Sequence, residues 1–552
     1  MAEQDTLETI RSSINEGKSF VVEAGAGSGK TRSLIDTVRS VLEERRESLA
    51  THGRRIACIT YTNVAKDEII ARLNGDPLVF VGTIHEFIWH LVSGYQTELL
   101  EEVLVLNESD ARRHIDNLDD RLRGMPITYG QYGRHLERGE LFHDDVISIG
   151  ARLFSKYPKV SRIAADLFPY VFVDEYQDTA SEVVELLLTN FAVVASRPVV
   201  GFFGDPMQQI YDSSLDDITK RPGLRHITKI ENYRCSMAVI NVLNRLRPEL
   251  QQVPAGNNAQ GEVRLFVGSG EPSRALASAM VELASDGWGT GETKVLVLTH
   301  KGIAREIGYA SFLAAYSELS FGNDRMMKRD DEFGETFSLL EELARAYAEK
   351  RYGDFLAALG RGGHRTRRHS QKREIAAYMD NLCVLRETGS VEQVLAYIDD
   401  STLIVKPTRL RRLESLLTEP DPDMELVSPP KRAFINAMKT VPYREVVAFT
   451  NYYDEHTPFS TKHGVKGAEY PSVLVVIDDS LWPKYRFASV FSDSDPTSPQ
   501  RLARSRRLLY VCFSRAKRDL AVLCLSKLSG SELAGARDLL GVSEIAISVP
   551  AE

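Results

Sequence analysis

Apolar residues in this chain recur in two rhythms that predict different elements. Short continuous apolar runs stand at 21–22, 56–59, 167–173 and 199–203, and again at 263–267, 295–298, 473–477 and 520–525. Bounded by small or polar residues, such runs read as strands buried on both faces, as in a parallel sheet. Between them the spacing turns helical: Leu34, Val38, Val41 and Leu42 share one face, 65–70 is helix-like, and Phe337, Leu340, Leu343 and Tyr347 line another helix. Strands alternating with helices predict an α/β fold. Two stretches interrupt the alternation. Residues 95–140 are helical and charged, which predicts an inserted helical subdomain, and helical patterns dominate again between about 300 and 443.

The ends of the first-half runs carry the candidate chemistry. The first leads through Glu23-Ala24-Gly25-Ala26-Gly27-Ser28-Gly29-Lys30-Thr31 into a helix. Small residues there let several backbone N–H groups face one spot, an anion nest at a helix N-terminus. Such a nest suits a polyphosphate. Lys30 would reach the β/γ phosphates and the Thr31 hydroxyl would hold Mg²⁺, the P-loop pattern with Ala24 in place of its first glycine; the competing reading is a glycine turn without a ligand. The run at 167–173 ends in Asp174-Glu175-Tyr176-Gln177-Asp178. Asp174 can enter a Mg²⁺ shell and Glu175 can orient or deprotonate a water, whereas acids on an ordinary loop are merely solvated. After 56–59 come Tyr61 and Asn63, at the kind of strand end where α/β sheets bind ligands. Tyr61 suits a stacking platform or a half-buried core position equally. His85, within Gly82-Thr83-Ile84-His85, is likewise open between a structural and a functional role.

With Gly204-Asp205-Pro206-Met207-Gln208-Gln209-Ile210-Tyr211 the ordered set is complete enough to compare. AGAGSGKTR, TYTN, GTIH, DEYQDT and GDPMQQIY resemble motifs I, Ia, Ib, II and III of superfamily 1 helicases of the UvrD/Rep type. Asn232-Tyr233-Arg234 resembles motif IV, 461–470 motif V and 507–516 motif VI, so the resemblance spans residues 20 to 525. It implies two RecA-like parallel-sheet P-loop domains, each with a mainly helical insertion, that close on ATP and ratchet along single-stranded DNA. The implied division is 1–94 and 141–222 for domain 1A, 95–140 for insertion 1B, 223–300 and 444–552 for domain 2A, and 301–443 for insertion 2B. It also implies ATP held by 24–32 (Ala24, Gly25, Ala26, Gly27, Ser28, Gly29, Lys30, Thr31 and Arg32), Mg²⁺ held by Thr31 and Asp174, and catalysis by Lys30, Glu175, Gln208, Arg234 and Arg515. Gln208 would sense the γ-phosphate, and Arg234 and Arg515, from the second domain, would be arginine fingers. Arg32 and Tyr233 would sandwich adenine, and Glu469 would contact ribose. Tyr61, Asn63, Thr83, His85, Tyr211, Thr461 and His463 would face DNA, through stacking and polar backbone contacts.

The sequence departs from the family at several points. Ser213 stands where relatives carry a stacking tryptophan after motif III, acidic residues are missing ahead of the motif VI arginines, and the glutamine motif before the P-loop is degenerate around Gln4. The missing tryptophan and the short insertions open a second expectation. The chain is also similar to the helicase-like subunit of the Gabija anti-phage system, which implies an ATP-switched DNA sensor that controls a partner nuclease. The first expectation is 3′-to-5′ movement and unwinding on single-stranded or tailed duplex DNA, in repair, recombination or phage defence.

Composition narrows the picture further. A chain of 552 residues has room for about three or four domains. Its net charge of −9 excludes a protein coated in DNA, so a nucleic-acid contact must use a local cleft. The run 361–373 is strongly basic and reads either as a solvated face or as a DNA-backbone contact; 418–423 reads as an acidic turn. Cys58, Cys235, Cys383, Cys512 and Cys524 are odd in number and form no CxxC pair, against a disulfide framework or a zinc site, and fit a reducing cytoplasm. The longest apolar stretch, 183–203, is broken by Glu185, Asn190 and Arg197, so no membrane span is expected.

Overall fold

The structure, a computed structural model, describes residues 2–109, 114–130, 135–190, 198–209, 218–269, 271–289, 292–298, 300–320, 322–329, 331–363, 371–401, 404–418, 428–454, 459–460, 468–481, 484–495 and 498–548. The chain forms two compact units. One comprises Met1–Val263, Asp493–Asp519 and Asp538–Gly541, the other Arg264–Ser492, Leu520–Arg537 and Val542–Glu552.

The first unit is built on strands β1 (Phe20–Ala24), β2 (Ile56–Thr60), β3 (Val79–Thr83), β4 (Tyr170–Asp174), β5 (Val199–Gly204) and β6 (Arg225–Lys229), in the order β3-β2-β4-β5-β1-β6. Every pairing is parallel. Alternate residues of one strand therefore serve two cores. Phe20, Val22, Phe172 and Phe203 pack with the apolar face of the helix Lys30–Thr51. Val21, Val171, Val173 and Phe202 pack on the other side with Phe87, Ile88, Leu99 and Ile149. Central strands β2, β4 and β5 are buried throughout, while edge strands β3 and β6 alternate with exposed or half-buried positions.

The second sheet contains β7 (Glu262–Ser269), β8 (Thr293–Val297), β9 (Phe459–Ser460), β10 (Tyr470–Ile477), β11 (Ala516–Cys524) and β12 (Glu544–Ser548), ordered β9-β8-β10-β11-β7-β12. Its core runs without a break from Phe266, Val295, Leu474 and Leu523 of the sheet into Phe312, Phe337, Leu340 and Phe434 of the helical region. The helix expected around Phe337 is Gly334–Ala348, with Leu340 and Leu343 buried and Tyr347 half-buried.

Two expectations need correction. The run at 167–173 is not one strand: Leu167 ends the helix Pro158–Leu167, and β4 begins only at Tyr170. Pro169 disfavours a helical conformation at Phe168 and has no N–H for a ladder, so it separates the two elements. Residues 95–140 are not wholly helical. After the helices Gln96–Ser109 and Leu118–Leu122, the short parallel pair Thr128–Tyr129 and Glu140–Leu141 closes the segment. Among the described residues no helix is long and apolar enough to cross a membrane.

Candidate nucleotide site

Because the first sheet is all parallel, its strands end along one edge, where ligands bind in open α/β sheets. β1 ends at Ala24, β4 at Asp174, β5 at Gly204, β2 at Thr60 and β3 at Thr83. The loop after β1 turns through Gly27 and Gly29, both left-handed at φ +73° and +76°, and Gly29 caps the following helix. A side chain at Gly27 would be strained and would meet Asn232 Oδ1 and the Arg234 Cβ at 2.7 and 2.8 Å. The loop is tied down at Ala26. Its N–H donates to the Tyr510 hydroxyl at 3.1 Å, and its carbonyl accepts from Asn232 Nδ2 and Gln252 Nε2, both at 2.9 Å. The Tyr233 N–H donates to the Gly27 carbonyl at 2.9 Å. Motifs I, IV and VI thus meet on one turn of backbone.

Ser28 Oγ is buried with no hydrogen-bond partner, and Lys30 is buried at the head of the helix. Thr31 Oγ1 donates to Asp174 Oδ2 at 3.3 Å. Burial, then the Glu175 carboxylate, pushes Asp174 up to about 7, against the pull of the Lys30 ammonium. The nest, an orphaned hydroxyl and a hydroxyl–carboxylate pair fit a polyphosphate with Mg²⁺, an ion commonly held by one or two carboxylates plus substrate phosphates. Thr31 and Asp174 would hold that ion, which neutralises phosphate charge as it develops. Glu175 stands in left-handed backbone at φ +49°, unusual for a side chain with a Cβ and typical of functional positions. Gln177 Nε2 donates to its carboxylate, and the Gln177 Oε1 accepts the Asp205 N–H at 3.0 Å. The carboxylate that would take a proton from water is therefore fixed by the same amide that touches motif III.

Gln208 Nε2 donates to Asp205 Oδ2 at 2.8 Å, and its Oε1 accepts from Arg515 Nη2 at 3.3 Å. Arg515 is 2 % exposed and also donates to the Val511 carbonyl at 3.0 Å. Burial, then the nearby Arg234 guanidinium, pulls Arg515 down to about 10, while Glu175 opposes the fall. Arg234 Nη1 donates to the Ser514 carbonyl at 3.4 Å. Lys30, Thr31, Asp174, Glu175, Gln208, Arg234 and Arg515 thus belong to one connected site within the first unit. Tyr233 stands 39 % exposed beside the loop, with the Lys229 ammonium 5.9 Å from its ring centre. Arg32 is exposed on the first turn of the helix. Glu469 lies in the second unit, exposed just before β10.

The DNA-facing candidates divide. Tyr61, 45 % exposed, and Asn63 stand beyond β2 at the same sheet edge. Thr83 is committed to a capping box, accepting from the Glu86 N–H while its own N–H donates to Glu86 Oε2. His85 packs 4.6 Å from the His143 ring, and burial, then His143, pulls it down to about 4. Tyr211, Thr461 and His463, with Ser213, lie outside the described residues, as does most of the basic run 361–373. No sequence signal marks the ties from Tyr510, Asn232 and Gln252 to Ala26, nor Arg247, a buried cation between Glu23 and Asp205. Arg247 follows an apolar helix and precedes Pro248, and no motif surrounds it.

Comparison with known proteins agrees with this geometry. Residues 7–214 match the family model of an AAA domain, and residues 323–527 match that of the UvrD-like helicase C-terminal domain. The chain is 23 % identical to the Gabija protein GajB of Bacillus cereus over 671 aligned positions, covering 96 % of each. It is 26 % identical over 301 positions to the ATP-dependent DNA helicase PcrA of Staphylococcus aureus, covering 44 % of this chain and 40 % of that protein. The PcrA of Staphylococcus epidermidis is 26 % identical over 281 positions, 41 % of this chain and 37 % of the relative. The chain is thus similar in both halves to UvrD-like helicases, which supports an ATP-hydrolysing helicase, and its two parallel sheets fit the RecA-like pair of that family.

Proposed function

We propose that this protein is a DNA-stimulated ATPase that uses Mg²⁺-ATP to move 3′ to 5′ along single-stranded DNA. The observation that carries the reading is the bond from Arg515 to Gln208, which joins an arginine finger to the γ-phosphate sensor beside the loop of Lys30. A finger reached through the sensor responds to whether a third phosphate is present, which is what couples hydrolysis to a change of shape. In this reading Tyr61, Asn63, Thr83, His85, Tyr211, Thr461 and His463 are the residues that contact DNA. Glu469 contributes the ribose contact. The four-part division into 1A, 1B, 2A and 2B at the boundaries given above belongs to the same proposal.

A second reading rests on a separate observation. The similarity to a Gabija protein covers 96 % of both chains, against less than half of either chain for PcrA. In this reading ATP turnover reports a DNA structure to a partner nuclease, and strand separation by the isolated protein is weak. Strand displacement and ATP turnover on duplexes with a 3′ tail, a 5′ tail or no tail decide between them. Unwinding confined to the 3′-tailed duplex supports the motor. Turnover without unwinding supports the sensor, and turnover indifferent to all DNA contradicts both.

A further inference from the structure

One buried cation joins three parts of the site and has no role in the reading above. Arg247 follows the helix Met237–Leu246 and is 2 % exposed. Its Nη1 donates to Asp205 Oδ1 at 2.8 Å, and its Nη2 pairs with Glu23 Oε1 on β1, the residue before the last of the strand. The guanidinium carbon stands 5.8 Å from the centre of the Tyr510 ring, whose hydroxyl accepts the Ala26 N–H of the phosphate loop. The remaining nitrogen, Nε, faces Glu249 at 3.6 Å.

One partner of Arg247 leads to the catalytic candidates and the other anchors it to the strand before the phosphate loop. Asp205 is 0 % exposed, and its second oxygen accepts the Gln208 amide at 2.8 Å. That bond decides which way the amide faces. With its NH₂ spent on Asp205, Gln208 presents its carbonyl oxygen to Arg515 at 3.3 Å. Glu23 is held on its other oxygen by His226 Nε2 at 2.8 Å, so the carboxylate cannot swing away from Arg247 without breaking a second contact. A guanidinium is planar and keeps its donors in a fixed fork, so it holds two carboxylates at one separation, which a lysine ammonium on a flexible stem does not.

We propose that Arg247 is a positioning residue for ATP hydrolysis: by clamping Glu23 to Asp205 it fixes the phosphate-loop strand relative to Gln208, and through Gln208 it aims Arg515. The proposal rests on the ATPase reading and deepens it. Lys30, Thr31 and the loop amides, which bind the nucleotide, do not touch Arg247; Gln208 and Arg515, which act on developing charge, are set by it. Loss of the clamp therefore falls on turnover and spares nucleotide affinity. A role confined to stability would lower the melting temperature and leave the folded fraction turning over normally.

The test uses the full chain with Arg247→Met, Arg247→Lys, Gln208→Ala and the double variant Arg247→Met with Gln208→Ala. Circular dichroism fixes a temperature at which each is folded, a fluorescent ATP analogue reports affinity, and single-turnover hydrolysis on single-stranded DNA reports the chemical step. Arg247→Met is expected to lose about 10²-fold in hydrolysis, the scale of a misplaced catalytic group. Its affinity stays within about threefold, small beside that loss and less than a tenfold step in binding. Arg247→Lys restores little, and the double variant is no slower than the worse single, since the two act as a unit. Should Arg247→Met leave too little folded protein, Arg247→Met with Asp205→Asn, which removes both interior charges together, takes its place with the same expected loss. A folded variant of either kind with wild-type turnover, or losses that multiply in the Gln208 double, overturns the proposal. A wild type inert toward ATP with and without DNA sinks the ATPase reading and this inference with it; an active wild type with an unaffected Arg247→Met sinks the inference alone.

Discussion

Two aspartates stand at the ends of central strands of the two sheets, Asp174 buried and Asp479 half-buried, and they are spent differently. Asp174 closes β4 in the first unit, and Asp479 follows β10 in the second. Burial raises both. Asp479 accepts the Phe487 and Ala488 N–H groups at 2.7 and 3.0 Å, one on each oxygen, and so serves as a clamp on its own backbone. Asp174 has a long contact to Thr31 at 3.3 Å and one to the Glu175 N–H at 3.1 Å, beside a second carboxylate that repels it. Two acids crowded at a strand end, one of them holding a hydroxyl at a long 3.3 Å, suit a cation; an acid matched to two backbone donors suits a structural role. The same parallel-sheet scaffold supports both, so the difference lies in which groups each strand end gathers.

The contrast breaks first at the arginines. Arg515→Ala is expected to lower kcat for ATP by about 10³–10⁵-fold, the scale of an arginine finger, as read by phosphate release. Next, Glu175→Gln should lose about 10²–10⁴-fold while still binding nucleotide, as a general base does. In the second unit Asp479→Ala should leave turnover of the folded protein within about twofold, and its cost should appear in the melting temperature as about 1–3 kcal/mol for two stranded N–H groups. An equal loss of turnover in Asp479→Ala and Glu175→Gln would erase the distinction.

Two smaller effects sharpen the edge proposed to face DNA. His85 titrates near 4 in the fold against an ordinary 6.5, so the unfolded chain binds more protons between those values. Stability is therefore complete above about 6.5 and falls as pH drops toward about 4, and His85→Gln should flatten that part of the melting curve against pH. Thr83→Ala should cost about 1 kcal/mol, a lost helix cap, in thermal or urea unfolding. A stability loss without a loss of DNA affinity would restrict Thr83 to capping.

Much of the site was legible because its chemistry is local. Ala24 to Thr31 and Asp174-Glu175 lie on contiguous stretches whose residue types demand their conformations, and the apolar runs before them mark β1 and β4. Edge strands were harder to read. In β6, Arg225 to Lys229, exposed His226 and Thr228 alternate with buried Ile227 and Lys229, as suits an edge strand but not a continuous apolar run. Arg247 was illegible for another reason: its partners Glu23 and Asp205 stand 224 and 42 positions away, so only the fold brings them together. The ties from Tyr510, Asn232 and Gln252 to one carbonyl and one N–H of Ala26 are equally non-local, and backbone groups carry no sequence signature.

The most direct test of the central claim is phosphate release from ATP with Mg²⁺, measured with and without single-stranded DNA for the wild type and Glu175→Gln side by side. The account predicts turnover that DNA stimulates in the wild type and that nearly vanishes in Glu175→Gln, with nucleotide still bound by both. Equal turnover in the two proteins, or none in the wild type under either condition, would contradict it.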